Sequence, residues 1–182
     1  VDVCISLDLD EMLQPGWREE IERLWVEGTT RLGYKFDWGH GKIFYSTKLH
    51  ARHGYHWHHP CHEYPRPDGR IEEVWAETHK LLVTHHPDGN KSRGQYLDLL
   101  ELSVKEDPHC PRNAFYYARE LAFHCQWDDA IIQLTRYLAL PAATWASERC
   151  YAMRTLGKCF EAKNDKVSAE NWWKKATEEC PD

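Results

Sequence analysis

No apolar run in this 182-residue chain approaches the length needed to cross a bilayer, and no basic-then-apolar segment of the secretory kind stands at its start. Positive charge is in deficit. The 23 Lys and Arg residues face 29 Asp and Glu, and the formal net charge of −6 argues against bulk affinity for nucleic acid. The seven cysteines include no C-x-x-C pair, so they do not announce a disulfide framework; they read as mostly reduced, buried thiols of a cytoplasmic protein. The chain also lacks an initiator Met and opens on Val1-Asp2-Val3, inside a strand-like stretch, which reads as the later part of a longer reading frame or as an excised piece. What is present suits a soluble globular protein: 42% hydrophobic residues, nine tryptophans and a mean hydropathy of −0.73 imply polar surfaces with large aromatic anchors. The length allows one ordinary domain or two small ones.

The stretch around which the chain is organised is Val3-Cys4-Ile5-Ser6-Leu7-Asp8-Leu9-Asp10-Glu11. An apolar run with β-branched Val3 and Ile5 predicts a buried strand. At its end Asp8 and Asp10, two residues apart, share a side if the backbone is extended. Two carboxylates placed so form a hard, oxygen-rich site suited to Mg²⁺ or Mn²⁺. Open α/β sheets bind ligands beyond the carboxyl ends of their strands. The plain alternative is a strand running into a solvated acidic turn.

Further along, Leu13-Gln14-Pro15-Gly16 marks a turn. Residues 17–27 show helical spacing, with Trp17, Ile21, Leu24 and Trp25 on one face and Gly28 as the stop. The alternation of Tyr34, Phe36 and Trp38, and then Ile43-Phe44-Tyr45, predicts strands. A histidine-rich segment follows, carrying His50, His53, His56, His58, His59 and His62 with Tyr55 and Trp57 between them. Pro65, Pro67 and Asp68-Gly69 predict a loop, residues 71–75 a short strand or turn, and Lys80 to Thr84 a strand that delivers His85-His86 at its end.

From Ser92 onward the pattern is helical throughout. Residues 92–106, 112–125, 127–140, 145–163 and 166–179 read as amphipathic helices with short connections. A repeat is visible: Ala130, Leu134, Tyr137 and Pro141 carry the second-helix signature of a tetratricopeptide unit, and Ala169, Trp173, Ala176 and Pro181 carry it again. Counting back gives Tyr117, Ala118 and Leu121 for the first unit and Leu156, Gly157 and Phe160 for the second. Small residues let paired helices approach while aromatics fill the groove between neighbours. The fold expectation is a mixed α/β part over residues 1–90 and an all-α, tetratricopeptide-like repeat over 91–182, joined by a turn-rich connector near Pro87-Asp88-Gly89-Asn90.

The histidine-rich segment supports two readings. His56, His58, Cys61 and His62 are suitable transition-metal ligands, although their spacing matches no closed zinc pattern. Alternatively, they are surface or half-buried strand residues. In order along the chain, the D-x-D strand end, the Tyr55-His56-Trp57 segment leading into His62-Glu63, the strand ending in His85-His86, the Lys91-Ser92-Arg93 helix start and the tetratricopeptide-like helices together resemble the family-two glycosyltransferases of the GT-A fold that carry C-terminal tetratricopeptide repeats.

That resemblance implies inverting transfer of a sugar from a nucleotide-sugar donor to an acceptor hydroxyl, assisted by Mn²⁺ or Mg²⁺. It assigns Asp8 and Asp10 to the donor's ribose and diphosphate, Asp10 to the metal, His85 to the metal with His86 as fallback, and Glu63 to deprotonation of the acceptor. Tyr55 and Trp57 would wall a sugar ring. Family members carry roughly another half-domain before the D-x-D strand, so the sheet is expected to be partial and to expose an edge near Val1–Leu7 that a second copy or rearranged segments cover. The alternative of another class is a helical-repeat module for protein interaction or self-association. A third is a histidine-based metal-binding protein.

Overall fold

The structure, a computed structural model, describes residues 2–87 and 94–181. The expected connector at Asp88-Gly89-Asn90 and the Lys91-Ser92-Arg93 helix start lie outside the described residues. The chain divides into two compact units, Val1–Lys91 and Ser92–Asp182.

The first unit runs β1 (Val3–Ile5), β2 (Glu11–Leu13), α1 (Trp17–Leu24), β3 (Arg31–Asp37), β4 (Ile43–Ala51), β5 (Tyr55–His58), β6 (Tyr64–Pro67) and β7 (Trp75–His85). Five strands form one mixed sheet in the order β1-β4-β3-β7-β2, while β5 and β6 form a separate hairpin. Only β3 and β7 run parallel; the other pairings are antiparallel. The alternation read from Tyr34 and Phe36 is the inward face of β3. Leu32, Tyr34 and Phe36 pack with Leu49, Leu81 and Val83, and Ile21 of α1 covers them. Each such buried aliphatic contributes on the order of 2 kcal/mol relative to exposure.

Several local expectations are corrected. The first strand is three residues long, half-buried and at the sheet edge rather than buried within it. The helix stops at Leu24, four residues before Gly28, because Trp25 leaves helical geometry (ψ 80°) and the chain turns through Gly28 to bring Thr30 against the Val74 carbonyl. Of the seven cysteines, all free, only Cys61 and Cys159 are buried, and burial pushes the Cys159 thiol up to about 11.

Glu20 of α1 ties the helix to the sheet. It accepts hydrogen bonds from Arg23 and from the Thr78 hydroxyl, and these hold its carboxyl down at about 2 against an ordinary 4.5. A depressed carboxylate adds stability that is present above the unfolded value and is lost as pH falls through the folded one. The stability gap between wild type and Glu20→Gln should therefore shrink between pH 4.5 and about 2. Thermal melts across that window check it, and a constant gap would remove the carboxylate from the account.

The second unit contains α2 (Tyr96–Glu106), α3 (Pro111–Phe123), α4 (Trp127–Ala139), α5 (Ala146–Ala162) and α6 (Lys166–Glu179). Its core holds Ala114, Phe115, Ala118, Leu121, Ala130, Leu134, Tyr137, Ala152 and Leu156. Two helix pairs repeat one design at an offset of 39 residues, which relates Ala118 to Gly157 and Ala130 to Ala169. The turns are equivalent in detail. Cys125 and Asn164 both adopt left-handed backbone, at φ 56° and 62°. Cys125 and Gln126 donate their N–H groups to Ala122 and Leu121, as Asn164 and Asp165 donate to Glu161 and Phe160. Asn tolerates that conformation better than Cys does. Cys125→Gly is accordingly expected to stabilise by about 0.5–1 kcal/mol in urea denaturation, and a loss would mean that the Cys125 side chain holds the turn.

The contact at the second pair is tight. A Cβ added at Gly157 would lie 2.0 Å from the indole nitrogen of Trp173. That half-buried indole donates its N–H to the Arg154 carbonyl at 3.3 Å. Between the pairs, Arg149 reaches the Leu138 and Ala143 carbonyls and the Glu179 carboxylate, linking α4, α5 and α6. No helix among the described residues is long and apolar enough to cross a membrane.

Candidate functional site

The D-x-D stretch is a tight turn, not extended backbone. The Glu11 N–H donates to the Asp8 carbonyl at 3.0 Å, while the Asp8 N–H donates to the Glu11 carboxylate at 2.9 Å. The turn joins β1 and β2, which lie at opposite edges of the sheet, and it sends the two aspartates to different partners. Asp8 meets the Lys48 ammonium at 3.3 Å, and Lys48 also donates to Glu11 at 3.1 Å. The Glu11 side chain is 4% exposed. Burial alone would lower the Lys48 pKa, but the charges and hydrogen bonds of Glu11 and Asp8 outweigh it and hold the ammonium above its ordinary value.

Asp10 turns instead to β7. Its carboxylate lies 3.4 Å from Nε2 of His85, with both side chains largely buried. The antiparallel β2–β7 register sets this up by placing Glu11 opposite His85. The His86 N–H adds a bond to the Asp10 carbonyl at 2.7 Å. His86 Nε2 sits 3.1 Å from the Thr84 hydroxyl, which in turn accepts from Gln14 at 2.9 Å. Trp38 stacks on the His85 ring with centroids 4.3 Å apart and planes 16° apart, and it remains 46% exposed. Nδ1 of His85 is buried without a hydrogen-bond partner among the described residues. The pair lies where β3 and β7, the parallel strands, both end, since Asp37 is opposite Thr84.

The remaining residues singled out from the sequence lie elsewhere. Tyr55 opens β5 and lies against the start of β3, donating its hydroxyl to Glu73 at 2.8 Å, with the Arg31 guanidinium 5.2 Å from its ring centre. Trp57 is exposed and meets His50 edge-on at 6.3 Å. Arg31 and Asp37 bound β3, so these aromatics stand roughly 20 Å from the Asp10–His85 end at ordinary strand rise. Glu63 is exposed in the loop between β5 and β6. Among the described residues, no hydrogen bond or ion pair joins it to Asp10 or His85. Of the sequence-derived set, the structure therefore brings together Asp10 and His85 with His86 beside them, and gives Asp8 to Lys48.

Two neighbours of the site were not singled out from the sequence. Trp38 had a signal, as the last member of the Tyr34, Phe36, Trp38 alternation placed one residue past its strand's end. Lys48 had none, since it is the antiparallel β1–β4 pairing, with Ile5 opposite Leu49, that brings Lys48 beside the acidic turn. Among the described residues, no three His, Cys, Asp or Glu side chains converge to hold a metal ion. A pair such as Asp10 and His85 still fits Mg²⁺ or Mn²⁺ in the manner in which one or two protein ligands share a hard cation with substrate phosphates and water. Neither protein-family models nor curated proteins give a match to this chain.

Proposed function

We propose that the first unit carries part of the donor site of a nucleotide-sugar-dependent glycosyltransferase, with Asp10 and His85 holding Mn²⁺ or Mg²⁺. The observation that carries the reading is the 3.4 Å approach of these two side chains, far apart in sequence, at the common carboxyl end of β3 and β7. Ligands of open α/β sheets bind at such strand ends. The stacked Trp38 limits the tilt of the imidazole, whose Nε2 faces Asp10. A divalent cation there would supply Lewis-acid stabilisation to a departing diphosphate. The aromatic wall for a sugar ring is placed at exposed Trp38 rather than at Tyr55 and Trp57. Asp8, charge-paired with Lys48, serves the shape of the turn. Glu63 keeps the role of acceptor base only through the family resemblance.

The test is calorimetric titration of the chain with UDP, GDP and their sugars, with and without Mn²⁺. Metal-dependent binding should be present and should weaken at least about tenfold in Asp10→Ala, as expected for loss of a charged ligand group, with the far-UV spectrum unchanged. Binding that is indifferent to Mn²⁺ or to Asp10→Ala would remove this reading. For the second unit we propose a tetratricopeptide-type interaction module. The support is the 39-residue internal repeat of turn geometry and small-residue positions.

A further inference from the structure

The opposite end of the sheet holds a second feature that the glycosyltransferase reading does not use. A cavity of about 300 Å³ opens there, lined by Arg52, His53, Gly54, Tyr55, Arg70 and Ile71. Two arginines and a histidine are among its lining residues and no Asp or Glu is, in a chain whose net charge is −6. Two loops build it, the turn after β4 and the segment between β6 and β7, and the Asp68 N–H clamps them by donating to the Gly54 carbonyl at 2.9 Å. Gly54 makes the close approach possible. Its φ is +85°, and a Cβ there would come within 2.6 Å of Ile71.

Arg70 is held in place, because Asp68 accepts from its Nε at 2.8 Å, from its Nη2 and from its backbone N–H at 3.0 Å. Asp68 cancels that one positive charge and in return fixes the guanidinium at the rim. Arg52 makes no ion pair among the described residues, so its charge is the uncompensated one. A guanidinium held by Asp68, a second, exposed one without an ion pair among the described residues, and an imidazole are donors of the kind that bind a phosphate group, whose oxygens planar N–H forks engage two at a time. The Tyr55 and Ile71 side chains supply an apolar wall beside them.

We propose that this cavity is a binding subsite for the phosphate group of a small soluble molecule, separate from the Asp10–His85 pair and independent of divalent metal. The test uses the whole chain, ¹⁵N-labelled, titrated with inorganic pyrophosphate in the absence of divalent ions. Saturable amide shifts are expected at His53, Gly54 and Ile71. Arg52→Gln should weaken the apparent affinity about tenfold, the usual effect of losing one charge-assisted hydrogen bond. Arg18→Gln, on the exposed face of α1 in an ion pair with Glu22, should leave it unchanged. Absence of saturable shifts, or equal saturation in both Arg52→Gln and Arg70→Gln, would overturn the proposal. So would shifts confined to the Asp10–His85 end. Because no metal is added, failure here leaves the Mn²⁺-dependent reading standing, and success does not support it.

Discussion

Gly157→Ala is expected to destabilise the helical unit by about 2 kcal/mol, although the same change in an open helix would stabilise it by about 1 kcal/mol. Two effects of opposite sign compete at this position, and the distances decide between them. Alanine is the better helix former, and Gly157 lies well inside α5. Yet the new methyl would stand 2.0 Å from the Trp173 indole nitrogen and 2.3 Å from its Cδ1. No contact that short survives, so the ring must swing away and give up its hydrogen bond to Arg154. Trp173→Ala alone should cost about 2–3 kcal/mol, less than a fully buried Trp because the ring is half-exposed. The decisive measurement is the double variant. In the Trp173→Ala background, Gly157→Ala should change sign and stabilise, since only the propensity gain remains. If the two changes were simply additive in chemical denaturation, the close packing of α5 on α6 would not be the reason for glycine.

Lys48→Met should cost about 3 kcal/mol, the scale found when one partner of a buried charge pair is removed. The cost arises from the Glu11 carboxylate, 4% exposed, which loses its cation while staying enclosed by the turn. Replacing both partners, as Lys48→Met with Glu11→Gln, should recover most of that loss, because a neutral amide still accepts from the Asp8 N–H. Denaturant titrations of the two variants separate this from a surface ion pair, for which the single change would be worth under about 1 kcal/mol. The sign with pH is also set. The ammonium's pKa is raised above 10.5, so its contribution is complete below that value and is lost as pH climbs through the raised one. Wild type and Lys48→Met should therefore converge only at strongly alkaline pH.

The helical half was legible because its information is local. The positions of α3 to α6 follow from 3.6-residue periodicity, and the small residues Ala118, Ala130, Gly157 and Ala169 are all buried. The strand half was legible only where one face is buried, as for Tyr34 and Phe36 on β3. Its ends depend on partners distant in sequence. The D-x-D spacing predicted a shared side for Asp8 and Asp10 on the premise of extended backbone, and the reciprocal Asp8–Glu11 bonds remove that premise. His85 was identifiable as the end of a strand, but its approach to Asp10 depends on β2 joining the sheet beside β7 rather than beside β1. Nothing in the periodicity of a three-residue strand specifies that neighbour. The same holds for Tyr55, whose hydroxyl bond to Glu73 no spacing in the sequence announces.

The β2–β7 edge has a consequence for how the site comes into being. The bond from Gln14 to Thr84 joins residues 70 apart in sequence. Closing a chain segment of that length costs about 4 kcal/mol in configurational entropy beyond the fixed term. Three short rungs must carry it. During synthesis, Asp10 is made before α1 and strands β3 to β7, and its partner exists only once β7 is complete. A cation that bridged Asp10 and His85 would fasten β2 to the end of β7, and at a hundredfold excess over its dissociation constant would add about 2.7 kcal/mol to that closure. Occupancy and the persistence of the outermost strand would thereby be one equilibrium, with a bound cation as the clasp of the sheet.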